Sequence, residues 1–321
     1  MSSSGLSNRA ASRNWLRRGA AVALAALLAG CGGGDPLVEF RAQRVLAFGD
    51  ETSVIASDGR KYTVNALNMT TGAIDCVENP IWIQSVANSF GLVFPQCNPR
   101  NVAAPASRIL AAPGARVADV TRQITTHLAS DGFGARDLVT ILAGQHDVID
   151  VYRRYPTVSR GQVEAEARAA GVALGLQVNR VAAAGGKVLL GKVLDLGQTP
   201  FGLAEKAAKR DIDRAALLSA LADQFNAGLR VTIVNDGRQI GLVQTDERIQ
   251  TVVAFPGNFG FSNVTQEACL PTALPPNCTP QTLVPGASAG TWLWADSLNL
   301  SPGGHLRIGE IAASVANNNP F

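Results

Sequence analysis

Residues 44–53 read RVLAFGDETS, and their order decides the fold. Val45, Leu46, Ala47 and Phe48 form a short apolar run of the kind that fills a strand buried on both faces. Gly49 and Asp50 then make a sharp turn, which presents residue 51 at the carboxyl end of that strand. In open α/β sheets, ligand chemistry sits at this edge. The residue presented there is an acid, Glu51.

Working outward, strand-like and helix-like segments alternate. The spacing of apolar residues predicts helices over 81–91, 117–130, 162–184 and 215–229. Strands are expected at 137–142, running into Ala143 and Gly144, at 187–194, and finally near 239–243. Residues 255–290, rich in Pro and Gly, read as loops. The expectation is one α/β domain over residues 40–316, a mainly parallel sheet between two helical layers, followed by a short tail at 317–321.

The first 39 residues read differently. Arg9, Arg13, Arg17 and Arg18 precede an apolar run that ends at Leu28-Ala29-Gly30-Cys31. A basic segment, a short apolar segment and small residues before a cysteine make a lipoprotein signal over residues 1–30, with Cys31 the lipidated residue and 31–39 a glycine-rich tether. The apolar run falls short of the roughly 20 residues that span a bilayer. Residue 32 is Gly rather than the aspartate that holds lipoproteins at the inner membrane, which points to the outer membrane, facing the periplasm or the surface.

Without those four arginines, the 28 basic residues fall to 24 against 25 acidic ones. A near-neutral domain gives no sign of a nucleic-acid partner, and a monomer is expected. Four cysteines remain, Cys76, Cys97, Cys269 and Cys278, an even number for an oxidising compartment. Of their three pairings, the sequential one closes short loops and is the expected one. A metal site is the competing reading, but no CxxC spacing occurs.

The GDE turn, Gly114-Ala115-Arg116, Gln123-Ile124, Gly144-Gln145-His146-Asp147, Asp195-Leu196-Gly197-Gln198-Thr199-Pro200, Phe225-Asn226, Phe259-Gly260-Phe261 and Trp294-Ala295-Asp296 follow one another in an order that resembles the GDSL, or SGNH, serine hydrolases. The closest resemblance is to their autotransporter-type and lecithin acyltransferase-like branch. It implies a flavodoxin-like α/β/α fold and ester hydrolysis without a cofactor.

The resemblance also assigns positions. Glu51 stands where the family has its serine nucleophile, Gly114 where it has an oxyanion glycine, and His146 where it has the oxyanion asparagine. Asp296 matches the acid, and Asn299 stands in place of the catalytic histidine. His305 matches a second, non-catalytic histidine, and His127 reads as structural. With the nucleophile, one oxyanion donor and the base all replaced, Ser-His catalysis is not expected.

Several expectations follow. Glu51 and His146 pair, in a site that binds an acyl, glycan or protein partner of the envelope. The alternative is an active hydrolase in which they form a water-activating dyad, with or without a metal on Asp50, Asp147 or Asp296. Thr52 and Ser53 are the substitute nucleophiles to weigh.

Overall fold

The structure is a computed structural model, and it describes residues 40–321. The expected signal peptide, lipidated Cys31 and tether lie outside the described residues.

Five strands form one sheet: β1 (Arg44–Gly49), β4 (Arg108–Ile109), β5 (Asp137–Leu142), β6 (Lys187–Gly191) and β7 (Ile240–Val243). The spatial order is β4-β1-β5-β6-β7, and every pair is parallel. Counted among themselves in chain order, the five run 2-1-3-4-5, the flavodoxin-like order. Between β1 and β5 the chain reverses its direction of travel across the sheet. Crevices for ligands open at such a switch point, outside the carboxyl ends of the strands.

Residue alternation assigns the layers. Leu46 and Phe48 of β1 point to one face, with Val139 and Ile141 of β5, and pack on α2 (Val117–Ser130), α3 (Gln145–Tyr152), α4 (Arg160–Ala183) and α6 (Arg214–Thr232). Val45 and Ala47 point to the other, against α1 (Trp82–Ser89), α7 (Thr245–Ala254) and α8 (Pro302–Asn318). Helix α5 (Pro200–Ala208) adds to the first layer through Phe201. The α/β/α sandwich expected from the alternation is therefore present.

Two small ladders decorate it: antiparallel β2 (Ala66–Leu67) with β3 (Ile74–Asp75), and parallel β8 (Asn263–Glu267) with β9 (Trp292–Trp294). Strand β8 corrects the reading of residues 255–290 as loop throughout. The end of the chain also differs from expectation. Helix α8 runs through Asn318, and Phe321 packs edge-to-face on Phe40 at 5.3 Å, so 317–321 join the domain instead of trailing from it.

Disulfides Cys76–Cys97 and Cys269–Cys278 close loops of 21 and 9 residues, in the sequential pairing. The fully buried Lys61 reinforces the first. Its ammonium donates to the carbonyls of Cys76, Glu78 and Asn79 at 2.8 to 3.0 Å.

Candidate functional site

The site is built from the ends of three adjacent strands. Residue 51 follows β1, residue 114 follows β4 and residues 145–146 follow β5. Two glycines make the turns possible. Gly49 has φ 129°, and a Cβ there would lie 2.0 Å from the Leu142 carbonyl oxygen. Gly144 has φ 121°, and a Cβ there would lie 2.3 Å from the Phe225 ring.

Gln123 on α2 grips the first turn with its side-chain amide. It accepts from the Gly49 amide at 3.0 Å and donates to the Gly49 carbonyl at 3.1 Å. Asp147 fastens the second turn to α2 by accepting from the Val117 amide at 3.0 Å, and burial pushes its carboxyl up to about 6.

The Glu51 carboxylate lies at the centre, 6% exposed. Its Oε2 accepts from the Gly114 amide at 2.8 Å, and its Oε1 accepts from Gln145 Nε2 at 2.9 Å. His146 Nε2 bridges the two oxygens at 2.7 and 2.9 Å. Burial alone would raise the Glu51 pKa, but the hydrogen bond and charge of His146, with the amides of Gly114 and of Glu51 itself, hold it below the ordinary carboxyl value. In His146 the balance is the mirror image. Burial disfavours the cation, yet Glu51 and then Asp50 outweigh it, and the imidazole pKa is raised. Each thus favours the charged form of the other.

Asp50 sits beside them and is buried. Burial, and next the Glu51 charge, push its carboxyl up to about 7, although its Oδ1 accepts from the Thr52 amide at 3.0 Å. The face of this turn bearing Asp50 and Thr52 borders an apolar cavity of about 20 Å³, lined by Leu142, Val193, Leu298 and Leu300 among others. That is room for about one water.

Asp296 and Asn299 stand apart from this cluster as their own pair. Asn299 Nδ2 donates to Asp296 Oδ2 at 2.9 Å, and the amides of Leu298 and Asn299 donate to Oδ1 at 2.8 and 2.7 Å. Their loop still reaches the same sheet edge, because Leu298 and Leu300 share the cavity with Asp50 and Thr52. The structure thus joins Glu51, Gly114 and His146 directly, and sets Asp296 and Asn299 in the neighbouring loop.

Among the described residues, no three metal-ligating side chains come together. Asp147 accepts from the Val117 amide and Asp296 from its own loop, while Asp50 accepts from the Thr52 amide. Ser53 is fully buried, and its Oγ accepts from Trp82 Nε1 at 3.1 Å, which removes it as a nucleophile. His127 is buried between Phe48 and Phe133. His305 is buried at the start of α8, where burial, then the Lys61 charge, hold it down to about 3, a neutral core residue. Gln145 is the partner that sequence reading missed, since 145 is only a spacer in the pattern Gly-x-Asn-Asp. The available signal was its place in the first turn after Gly144.

No protein-family model matches the sequence, and neither does any curated protein. Solved structures are similar over most of the chain. A lipase from a goat rumen metagenome is 12% identical, covers 87% of this chain and 99% of its own, and has a TM-score of 0.46. An acetylxylan esterase from Geobacillus stearothermophilus is 12% identical over 88% and 99%, with a TM-score of 0.43. A member of the lipolytic protein G-D-S-L family from Veillonella parvula is 8% identical over 84% and 96%, with a TM-score of 0.40. Likeness at this level gives no activity and no residue role to this chain.

Proposed function

We propose that this chain is a cell-envelope lipoprotein, anchored through Cys31, whose SGNH-type cleft has given up ester hydrolysis and holds an envelope ligand or protein partner. One observation carries the reading: the Glu51 carboxylate occupies the donors that an acyl-transfer site needs for its oxyanion.

Three donors define such a hole in the family that the sequence resembles: the nucleophile's amide, a glycine amide and a side chain from the block after the third strand. Here the Gly114 amide and His146 both donate to Glu51, and the Glu51 amide adds to the stabilisation of its own carboxylate. A developing oxyanion would have to displace this charge or lie against it. Two like charges about 4 Å apart repel by roughly 4 kcal/mol at an effective dielectric of 20, which is about a thousandfold in rate.

General-base chemistry is no better supplied. A carboxylate whose pKa is lowered is a weaker base, and a raised imidazole pKa favours the protonated form, which has no lone pair to take a proton. Asn299, at the family's histidine position, cannot act as a base at all.

The test uses the purified domain with nitrophenyl acetate and butyrate, acetylated sugars and a fluorophosphonate probe. The expected result is no turnover and no labelling by the native chain, and a gain of both in the triple variant Glu51→Ser, His146→Asn, Asn299→His. Turnover by the native chain that disappears in Glu51→Ala and in His146→Ala would instead establish the alternative, an ester hydrolase working through a rearranged Glu51-His146 pair.

A further inference from the structure

The seat of Glu51 is a receptor in its own right. Its Oε1 takes Gln145 Nε2 and His146 Nε2, and its Oε2 takes the Gly114 amide and the same His146 nitrogen. Each oxygen of a planar, two-oxygen anion therefore meets two donors, one of them on a side chain whose pKa is raised. The donors come from two different strand ends, after β4 and after β5, while the anion comes from a third, after β1.

The backbone bonds that join the three turns, Ala112 to Gly49 and Asp50 to Leu142, do not involve the Glu51 side chain. The Gly114 turn is held by backbone bonds from Ala112 to Gly49 at 3.0 Å and from Ala115 to Ala112 at 3.2 Å, and the 144–146 turn by Asp147 on the Val117 amide, so both donor turns keep their places whatever side chain stands at 51. Removing the carboxylate would leave the donors aimed at a buried space with no acceptor, a costly arrangement that favours any anion able to fill it.

We propose that Gly114, Gln145 and His146 form a carboxylate-binding site that the chain keeps filled with its own Glu51, and that the ligand class it takes is a small monocarboxylate. The size of the seat identifies the best fit. Beyond Cβ the Glu51 side chain consists of one methylene and a carboxylate, the heavy atoms of acetate. Glu51→Ala deletes that fragment and no more, so acetate restores the deleted atoms and their hydrogen bonds. Propionate carries one carbon too many and meets the new alanine methyl. Sulfate and phosphate present a tetrahedron of oxygens to a planar seat, beside the buried Asp50. In the native chain the tethered Glu51 competes at a high effective concentration, so free acetate does not enter.

The experiment compares native protein, Glu51→Ala, Glu51→Gln and the double variant Glu51→Ala, His146→Ala at pH 6. Sodium acetate is titrated against sodium chloride at constant ionic strength, followed by thermal unfolding and by saturation-transfer NMR of the acetate methyl. Glu51→Ala is expected to bind acetate saturably, and acetate at ten times its Kd raises the Tm by about 3 °C. Propionate and sulfate give no such rise. The native protein and Glu51→Gln, whose seats are filled, show none either. Losing the His146 donor weakens acetate binding by about tenfold or more.

Should Glu51→Ala not fold alone, Glu51→Ser opens the same space, and acetate-dependent recovery of folded protein becomes the readout. Folded Glu51→Ala that responds to acetate no more than to chloride overturns the proposal. So does acetate binding that is equal in the native chain or indifferent to His146. None of these outcomes requires turnover, so a failed receptor leaves the retired-hydrolase reading standing, and esterase activity in the native chain leaves the receptor standing.

Discussion

Replacing His146 by alanine isolates the ion pair at the switch point. Glu51 is left with the Gly114 amide and Gln145, two of its side-chain and backbone partners, but loses the one cation that contacts it among the described residues. Breaking a buried pair by removing one partner costs about 3–5 kcal/mol when the remaining charge is wholly stranded. Here the His146 side chain keeps 21% exposure and two neutral donors persist, so about 2 kcal/mol is the expected loss. For a domain of this size that lowers the Tm by about 5 °C.

The pH profile separates this mechanism from simple loss of packing. His146 is raised from 6.5, so its contribution is complete below that value and disappears as pH rises through its folded pKa. Glu51 is lowered from 4.5, so its contribution is complete above that value and disappears as pH falls through its folded pKa. The gap in Tm between native and His146→Ala is therefore widest from pH 4.5 to 6.5 and shrinks on both sides. Differential scanning calorimetry from pH 3 to 9 reads it directly. A gap that stays constant with pH, or that widens toward pH 9, refutes the ion-pair account.

Other consequences can be measured on the same protein. Asp50 is raised from 3.8 to about 7, so its ionisation takes about 1.4 kcal/mol per pH unit from the native state across that interval. Asp50→Asn keeps an acceptor for the Thr52 amide and flattens this slope, which makes the variant the more stable of the two at pH 8 by urea midpoint. Gly144→Ala drives a methyl into the Phe225 ring at a φ that alanine avoids, and at least about 3 kcal/mol of stability should go. Unchanged urea unfolding in that variant would mean that the β5 turn is not as closed as described. Loop lengths of 21 and 9 residues give about 3.3 kcal/mol for Cys76–Cys97 and about 2.6 kcal/mol for Cys269–Cys278. Paired serine substitutions should lower the Tm in that order.

The sequence was most legible where burial leaves one solution. Residues 137–142 are apolar in four of six positions because β5 is buried on both faces, and their limits are those of the strand. Helices 117–130 and 162–184 were visible from their apolar stripes and lie within a few residues of α2 and α4. Strand β4 was not visible: two residues, Arg108 and Ile109, carry too little periodicity, although pairing with β1 makes them the element that creates the switch point.

Helices α5 and α8 were missed although each announces itself. Thr199 and Ser301 cap them, and Pro200 and Pro302 occupy their first turns, where proline is favoured. In α8 the glycines at 303 and 304 obscured that signal. At the site, the contact between Glu51 and His146 followed from the expected turns, because residues 51 and 146 leave neighbouring strands. The role of Asn299 did not follow, because nothing local says that an Asn placed three residues after Asp296 will turn back to it.

The shared seat of Glu51 also shapes how this chain can change over generations. The carboxylate and the imidazole each stabilise the other's charged form, so neither changes without cost to its partner. Glu51→Ser by itself leaves the half-buried His146 without the acceptor that raises its pKa, and His146→Asn by itself leaves a buried carboxylate without its cation. Either substitution alone therefore loses stability. Positions 51 and 146 are thus coupled, and they tolerate change together more readily than one at a time.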